Sequence, residues 1–264
     1  MFNLFGKKKV ALVLGGGSAR GLAHIGVLKV LERERVHFDM IVGTSMGALI
    51  GAAYSLGISI PAMEVDAYSF TANKLLDPTI PTMGLLAGEK LEDAIRELIT
   101  DKAFSDCKIP FAVVTTNIET GEEVVHQNGD LVKTIRASCS WPGIFNPVRI
   151  DGKLLVDGGI KNSVPAGIAR ALGADYVVAV DVGFCVREDP IKNIFQIILQ
   201  AFQITGEELN KYQSRHADFV IKVDLGHIDQ VAFDRSRETV QRGAQAAEEA
   251  LPRLKKALRL PLWR

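Results

Sequence analysis

The feature that most constrains this chain is a Gly-x-Ser-x-Gly pentad, Gly43-Thr44-Ser45-Met46-Gly47, between two apolar stretches. A short apolar run ends at Gly43, and an Ala- and Gly-rich segment long enough for a helix follows Ser45. A strand, a sharp turn that carries a serine, and a helix form the setting of a nucleophile elbow. Glycines two residues before and after the serine avoid backbone collisions in such a turn, and the helix dipole favours negative charge beside it. The pentad therefore predicts that Ser45 is a nucleophile.

Composition limits the kinds of protein that this chain can be. Its 264 residues suffice for one large α/β domain, and 47% of them are apolar. Lys+Arg and Asp+Glu both number 31, so the balance of charge indicates no nucleic-acid partner. Cys107, Cys139 and Cys185 form no metal-type cluster and are typical of free thiols in a reducing compartment. Since neither a signal peptide nor a membrane-spanning run is evident, we expect a cytoplasmic protein without metal or cofactor; its oligomeric state is left open.

Strand-like and helical patterns alternate along the chain. Short apolar or β-branched runs are typical of buried strands, whereas apolar residues spaced three and four apart indicate helices. The predicted strands lie at 10–14, 40–42, 111–115, 123–126, 153–156, 176–182 and 219–223, and the clearest predicted helices at 89–100, 131–138, 191–204 and 237–251. This alternation predicts one α/β domain over residues 1–264, with a mainly parallel sheet.

Two regions depart from the regular pattern. Residues 58–88 contain three prolines and only scattered apolar positions. We interpret them as an insertion over the site and a candidate lid, with an ordinary long connection as the alternative. Near the end of the chain, Pro252 is expected to kink or end the last helix.

Two further glycine-marked turns follow strand-like runs. The stretch Gly15-Gly16-Gly17-Ser18-Ala19-Arg20-Gly21 follows the first strand, and Asp157-Gly158-Gly159 follows the run at 153–156. Sites in open α/β sheets gather at the carboxyl ends of strands, so the three turns are expected to converge. The first turn offers backbone N–H groups for an oxyanion hole. The last offers the Asp157 carboxylate, which could take the Ser45 proton as general base.

Each of these interpretations has an alternative. A glycine turn between strand and helix also opens dinucleotide-binding units, and Asp39 lies about where a ribose-binding acid is expected, although the glycine spacing fits poorly. A histidine could replace the carboxylate as base, and only His216 and His227 follow Asp157. Arg20 could bind phosphate or orient its loop, or it could be an ordinary arginine on a helix surface.

The ordered set of motifs closely resembles the patatin-like phospholipase family, particularly its small bacterial intracellular members. The resemblance covers nearly the whole chain. Besides the three turns, it includes Ala137-Ser138 followed by Pro142 and Phe145, then Asn162, Pro165 and the Gly173-Ala174-Asp175 run. It implies a three-layer patatin-like fold with a mainly parallel central sheet between helices. It also implies hydrolysis of lipid acyl esters through an acyl-enzyme, without calcium.

The resemblance also implies roles for individual residues. The nucleophile of the family falls on Ser45 and its base on Asp157, which form a catalytic dyad. The oxyanion segment falls on Gly16, Gly17 and Ser18, and its Arg-Gly pair on Arg20 and Gly21. Ser18 stands where the family usually has a glycine.

The pocket, the membrane contact and the activity itself are less constrained. Candidate walls of an acyl pocket are Met46, Trp141, Pro142 and Phe145, with plain core packing as the alternative. Membrane-surface contact could involve residues 2–9, 191–202 or 254–263, which combine apolar and basic positions or are strongly apolar. The expected activity is that of a serine esterase of phospholipase A or lysophospholipase type, acting in the cytoplasm or peripherally at the inner membrane surface. A regulatory protein with incidental esterase activity and an acyltransferase are the alternatives.

Overall fold

The computed structural model describes residues 8–80, 82–183, 190–226 and 228–260. Cys185, His227 and the outer parts of both terminal membrane candidates therefore lie outside the described residues. The strands are β1 (Val10–Leu14), β2 (Met40–Thr44), β3 (Gly84–Leu86), β4 (Phe111–Asn117), β5 (Glu123–His126), β6 (Gly143–Phe145), β7 (Val148–Ile150), β8 (Lys153–Asp157), β9 (Tyr176–Asp181) and β10 (Phe219–Lys222). The α-helices are α1 (Ala23–Arg33), α2 (Met46–Ser55), α3 (Ile60–Ser69), α4 (Glu89–Ile99), α5 (Leu131–Ser138), α6 (Gly159–Asn162), α7 (Ala166–Ala171), α8 (Ile194–Gln213) and α9 (Ser236–Leu258).

The central sheet is mainly parallel, as predicted. Its order is β10-β9-β1-β2-β4-β8-β7, and every pairing from β10 to β4 is parallel. At the other edge, β8 runs antiparallel to both β4 and β7. The predicted hairpin is also present, since β5 pairs antiparallel with β4. Strands β3 and β6 form a separate small sheet.

Alternating strand residues build a core on each face of the sheet. In β1, Leu12 and Leu14 belong to the larger core, together with α1, α2 and α9, whereas Ala11 and Val13 belong to the smaller one with α7. This alternation is the two-residue period of a strand buried on both faces. Helices therefore cover both sides of the sheet, which gives the three-layer α/β arrangement.

The register of the strands explains how the three glycine-marked turns meet. β1 and β2 are parallel neighbours, so the turns at Gly15 and Ser45 lie at the same edge of the sheet. Asp157 reaches the same place by a different route, because its strand, β8, runs antiparallel to β4. β4 continues past the end of β2, and β8 pairs with this extension, placing Asp157 opposite Thr115 while Thr44 pairs with Val114. The expected convergence occurs, but a shared carboxyl edge accounts for only two of its three members.

Several predicted element boundaries were wrong. α9 continues through Pro252 to Leu258, so this proline does not end the helix. α8 begins at Ile194 and extends to Gln213, nine residues beyond its predicted end at Ile204. Residues 58–88 hold α3, a 3-10 turn at Ala72–Leu75 and the short strand β3. Among the described residues, no helix is both long and apolar enough to cross a membrane.

Candidate active site

Ser45 occupies a strained turn between β2 and α2. Its backbone angles are φ 55° and ψ −127°, which non-glycine residues rarely adopt, and its side chain is buried. The flanking glycines are required by contact: a Cβ atom on Gly47 would lie 2.1 Å from the Leu14 carbonyl oxygen, and one on Gly43 would lie 2.5 Å from the Gly47 oxygen. Strain at one residue, maintained by close packing around it, is typical of a functional site.

The side chain of Ser138 holds this turn by hydrogen bonds, a role that the sequence did not reveal. The Ser45 N–H donates to Ser138 Oγ at 2.8 Å, and the same hydroxyl donates to the Val114 carbonyl at 2.7 Å. Ser138 is fully buried at the end of α5. In the sequence Ser138 stands out only as part of the Ala137-Ser138 motif, and no feature of the sequence pairs it with a turn 93 residues earlier.

The Asp157 carboxyl group is buried beside Ser45, and only one of its two oxygens accepts a hydrogen bond. Its Oδ1 atom accepts a hydrogen bond from the Gly159 N–H at 2.7 Å. Burial raises the pKa of Asp157 to about 7, while the nearby Ser45 hydroxyl, the Gly159 N–H and the Trp141 indole oppose the rise. Although Ser45 and Trp141 face the carboxyl, its buried Oδ2 atom has no hydrogen-bond partner among the described residues. A carboxylate with one free, desolvated oxygen is suited to accept a proton.

The glycine-rich loop supplies fewer free donors than the sequence suggested. The Gly16 N–H donates to the Ser163 carbonyl at 2.9 Å, so it is not available for an oxyanion, contrary to expectation. The N–H groups of Gly17 and Ser18 have no acceptor within the described part of the chain. Ser18 has φ +48°, a conformation that favours glycine, which explains why a glycine would suit its position. The candidate donors are therefore Gly17 and Ser18.

Arg20 and His24 hold this loop in place. Arg20 is buried, and its guanidinium donates to the carbonyls of Val182 at 3.0 Å and Ile228 at 3.3 Å, so an exposed helix-surface arginine was the wrong alternative. His24 Nε2 donates to the Gly15 carbonyl at 2.7 Å. Burial lowers the pKa of His24 to about 4, which keeps the imidazole neutral near pH 7. Gly21 lets the loop approach the elbow, since its Cβ would lie 2.5 Å from the Met46 side chain.

Two cavities meet at Ser45. The smaller, of about 160 Å³, is bounded by Gly17, Asp157, Gly159 and residues of α8. The larger, of about 280 Å³, is strongly apolar and extends towards residues 72–86. Its lining residues are Ser18, Ser45, Met46, Leu49, Ala72, Leu75, Leu76, Leu86, Leu91, Cys139, Trp141, Ile144, Phe145, Leu199, Val231 and Phe233.

These cavities test the predicted pocket residues. Met46, Trp141 and Phe145 line the larger cavity, and Trp141 also lines the smaller one. Pro142 lines neither, whereas Ile144, which was not predicted, lines the larger cavity. Gly158 allows the Asp-Gly-Gly turn to pack against β4, since a Cβ atom there would lie 2.4 Å from the Val114 carbonyl oxygen. Cys139 also lines the larger cavity, and burial together with the Asp157 carboxyl raises the pKa of its thiol, which disfavours the reactive thiolate.

The alternative site residues lie elsewhere. Asp39 binds the Val10 N–H at 2.8 Å at the start of β1, the end opposite the glycine turn, which argues against a dinucleotide site. His216 is exposed, packs beside Gly167 of α7 and lines neither cavity. Across the described segments, no group of three or more His, Cys, Asp or Glu side chains could hold a metal ion.

Comparisons of the sequence with known proteins identify a family. A family model described as patatin-like phospholipase matches residues 12–170. Patatin-like phospholipase domain-containing protein 6 of Mus musculus is 40% identical over 182 residues, which are 66% of this chain and 13% of that protein. An uncharacterized NTE family protein of Mycobacterium tuberculosis is 38% identical over 177 residues, 66% of this chain and 49% of that protein. The chain thus spans half or less of these relatives.

Solved structures agree on the fold. VipD from Legionella pneumophila matches with a TM-score of 0.57 at 14% identity, over 93% of this chain and 67% of that one. The type III effector protein ExoU matches with a TM-score of 0.51 at 14% identity, over 94% of this chain and 53% of that one. At this identity the likeness concerns fold alone. The family match covers more than half of the chain, and on that ground the protein belongs to the patatin-like phospholipase family.

Proposed function

We propose that this protein is a serine esterase that hydrolyses acyl esters of lipids, with Ser45 as nucleophile and Asp157 as general base. The observation that supports it best is the buried, unpartnered Oδ2 of Asp157 beside the strained Ser45 turn. Both residues open onto cavities, the larger of which is apolar enough for an acyl chain. The ester class most compatible with this cavity carries a long hydrocarbon chain, as in phospholipase A or lysophospholipase substrates.

The reaction has two steps. Ser45 Oγ attacks the ester carbonyl carbon while its proton passes to Asp157 Oδ2, and the Gly17 and Ser18 N–H groups stabilise the oxyanion. Collapse of this intermediate breaks the ester bond, and Asp157 returns the proton to the leaving alkoxide. Water then attacks the acyl-enzyme and gives a proton to Asp157. Collapse of this second intermediate breaks the bond to Ser45 Oγ, which takes the proton back from Asp157, and the carboxylic acid is released. No step is assigned to calcium.

The decisive experiment is covalent labelling of the full chain with a fluorophosphonate probe. The wild type should be labelled and Ser45→Ala should not. A matched control is Ser55→Ala in α2, because Ser55 is fully buried and lines neither cavity. An unlabelled wild type would refute Ser45 as a nucleophile.

Substrate turnover separates hydrolysis from the alternatives. We expect release of fatty acid from a glycerophospholipid in mixed micelles, abolished in Ser45→Ala and insensitive to EDTA. Strong labelling without any turnover would favour a regulatory protein. Transfer of the acyl group to an added alcohol in preference to water would favour an acyltransferase.

A further inference from the structure

The first half of α8 presents an apolar face to solvent. Ile194, Ile197 and Ile204 are 63%, 51% and 52% exposed. Their spacing places them on one side of the helix, which Ala201 shares. Residues 194–205 contain no charged side chain at all. A solvated helix face normally carries polar and charged residues, so this one needs an explanation.

The buried side of the same helix carries polar residues beside Leu199. Gln203 is 1% exposed, and its Oε1 atom has no hydrogen-bond partner among the described residues. Farther along, the buried Asn210 donates to Asp181 Oδ1 at 3.0 Å. Gln213 donates to the Lys161 carbonyl at 2.7 Å, and these two bonds fix the rotation of the helix about its axis. With the helix held in this orientation, the three isoleucines face solvent.

The exposed apolar face borders the smaller cavity, and other exposed apolar side chains border the larger one. Ala201 and Thr205 of α8 are exposed and also line the smaller cavity beside Ser45. Across the larger cavity, Leu76 and Val231 are exposed and line its wall. The openings towards the candidate nucleophile are thus bordered by apolar side chains from three separate segments.

We infer that a lipid surface covers this face, which we define as Ile194, Ile197 and Ile204 with Leu76 and Val231. The inference rests on the proposed function, because an acyl chain that leaves a lipid surface through this border reaches Ser45 without crossing water. A partner of this kind needs apolar contact without charge complementarity, which matches the uncharged segment 194–205. The binding is therefore apolar in origin and resists salt.

This face is distinct from the basic tail considered from the sequence. Leu254 is fully buried, and Lys255 pairs with Glu34 at 2.7 Å, so the described part of that tail is packed against α1 and its following turn. Raising the salt concentration should leave binding through α8 unchanged and should weaken binding through a basic segment, so the two can be told apart.

The test uses phosphatidylcholine vesicles and the full-length chain. The variant Ile194→Gln/Ile197→Gln/Ile204→Gln removes the α8 part of the face without touching a cavity wall. The control is Ile118→Gln, an exposed isoleucine after β4 that lines neither cavity. We expect the triple variant to lose roughly tenfold or more in vesicle affinity by flotation, at low and high salt alike, and the control to match the wild type. The single variant Ile194→Gln should show a smaller loss in the same direction.

A soluble short-chain ester separates this inference from the proposed function. The triple variant should hydrolyse it as the wild type does while losing hydrolysis of vesicle lipid. Wild-type protein that does not float, or a triple variant that floats equally well, would overturn the inference even if the soluble ester is hydrolysed. Vesicle binding without ester hydrolysis would overturn the function instead. A wild-type dimer that light scattering shows to dissociate in the triple variant would assign the face to a second copy and also overturn the inference.

Discussion

The region around Ser45 and the region that covers it are built by different means. The three turns of the site are fixed through main-chain groups: the N–H groups of Ser45, Gly16 and Asp157 donate to Ser138 Oγ, the Ser163 carbonyl and the Ser140 carbonyl, respectively. The second region, which we call the cover, comprises the residues of 72–86 and of the first half of α8 that border the two cavities, and it contributes mainly apolar side chains, several of them exposed. The difference suggests that catalysis depends on backbone geometry and substrate choice on replaceable side chains. Substitutions should therefore have unlike effects in the two regions.

The largest effect is expected where the site has no room. Gly47→Ala places a Cβ 2.1 Å from the Leu14 carbonyl and 2.6 Å from the Gly15 carbonyl, both main-chain atoms that cannot move independently. We expect a loss of roughly 4 kcal/mol or more in unfolding free energy, or no folded protein, by thermal and denaturant unfolding. Gly167→Ala is the control: its Cβ would meet only His216, at 3.9 Å, and helix propensity favours alanine. Equal stability of the two variants would contradict the comparison.

Asp157→Asn should remove activity and yet stabilise the protein. The amide cannot take the Ser45 proton, so the rate of acylation should fall roughly 10²- to 10⁴-fold in stopped-flow or probe-labelling experiments. A variant with the wild-type rate would exclude Asp157 as the base. In the wild type, the same reasoning predicts a rate that rises with pH and has a midpoint near the pKa of Asp157, about 7.

The stability change follows from the sign of the same pKa shift. The pKa of Asp157 is about 7 in the folded chain against an ordinary 3.8, so between these values the folded state binds a proton that the unfolded state has lost. This contribution to stability is complete below pH 3.8 and is lost as the pH rises through 7, an effect of roughly 4 kcal/mol. Asp157→Asn should therefore melt above the wild type at pH 8, and this advantage should shrink towards pH 4.

A smaller effect is expected at Ser138, which positions Ser45 without touching substrate. Ser138→Ala leaves the Ser45 N–H and the Val114 carbonyl without their partner, at a cost of about 1–3 kcal/mol in unfolding free energy. Because the nucleophile shifts, acylation should slow by up to roughly 10²-fold, with little change in KM. Ser55→Ala is the matched control: that buried hydroxyl has no partner among the described residues, so its removal should be neutral or stabilising. Similar rates for both variants would leave Ser138 without a positioning role.

How much the sequence predicted differs between the two regions for physical reasons. The turn at Ser45 was predictable because local steric demands leave their mark as glycines at Gly43 and Gly47. The meeting of Ser45 with Asp157 was predicted, although its route was not, since an antiparallel β8 depends on long-range strand pairing that no local pattern reveals. The occupied Gly16 N–H was missed for the same reason, because its acceptor, Ser163, lies far along the chain.

The cover was less predictable because its pattern of apolar residues does not show which of them are buried. The apolar residues of α8 predict a helix, which the structure contains, but periodicity alone does not say which face turns inwards. The buried Gln203 and the exposed Ile197 reverse the usual expectation. Pro252 does not end α9, because the helix around it packs against the core through Leu254, and tertiary contacts outweigh one lost main-chain hydrogen bond.

The smallest effect is expected in the cover, where side chains should select the substrate without changing the chemistry. Leu86 of β3 lines the larger cavity, so Leu86→Trp should shorten the space for an acyl chain. We expect the ratio of kcat/KM for long over short acyl esters to fall about tenfold, while probe labelling of Ser45 stays within about twofold of the wild type. Ile80→Trp is the control, because this strongly exposed residue of the same segment lines neither cavity. An unchanged ratio in Leu86→Trp would mean that the acyl chain of the substrate binds in the smaller cavity, beside α8. Substrate choice would then not depend on residues 72–86.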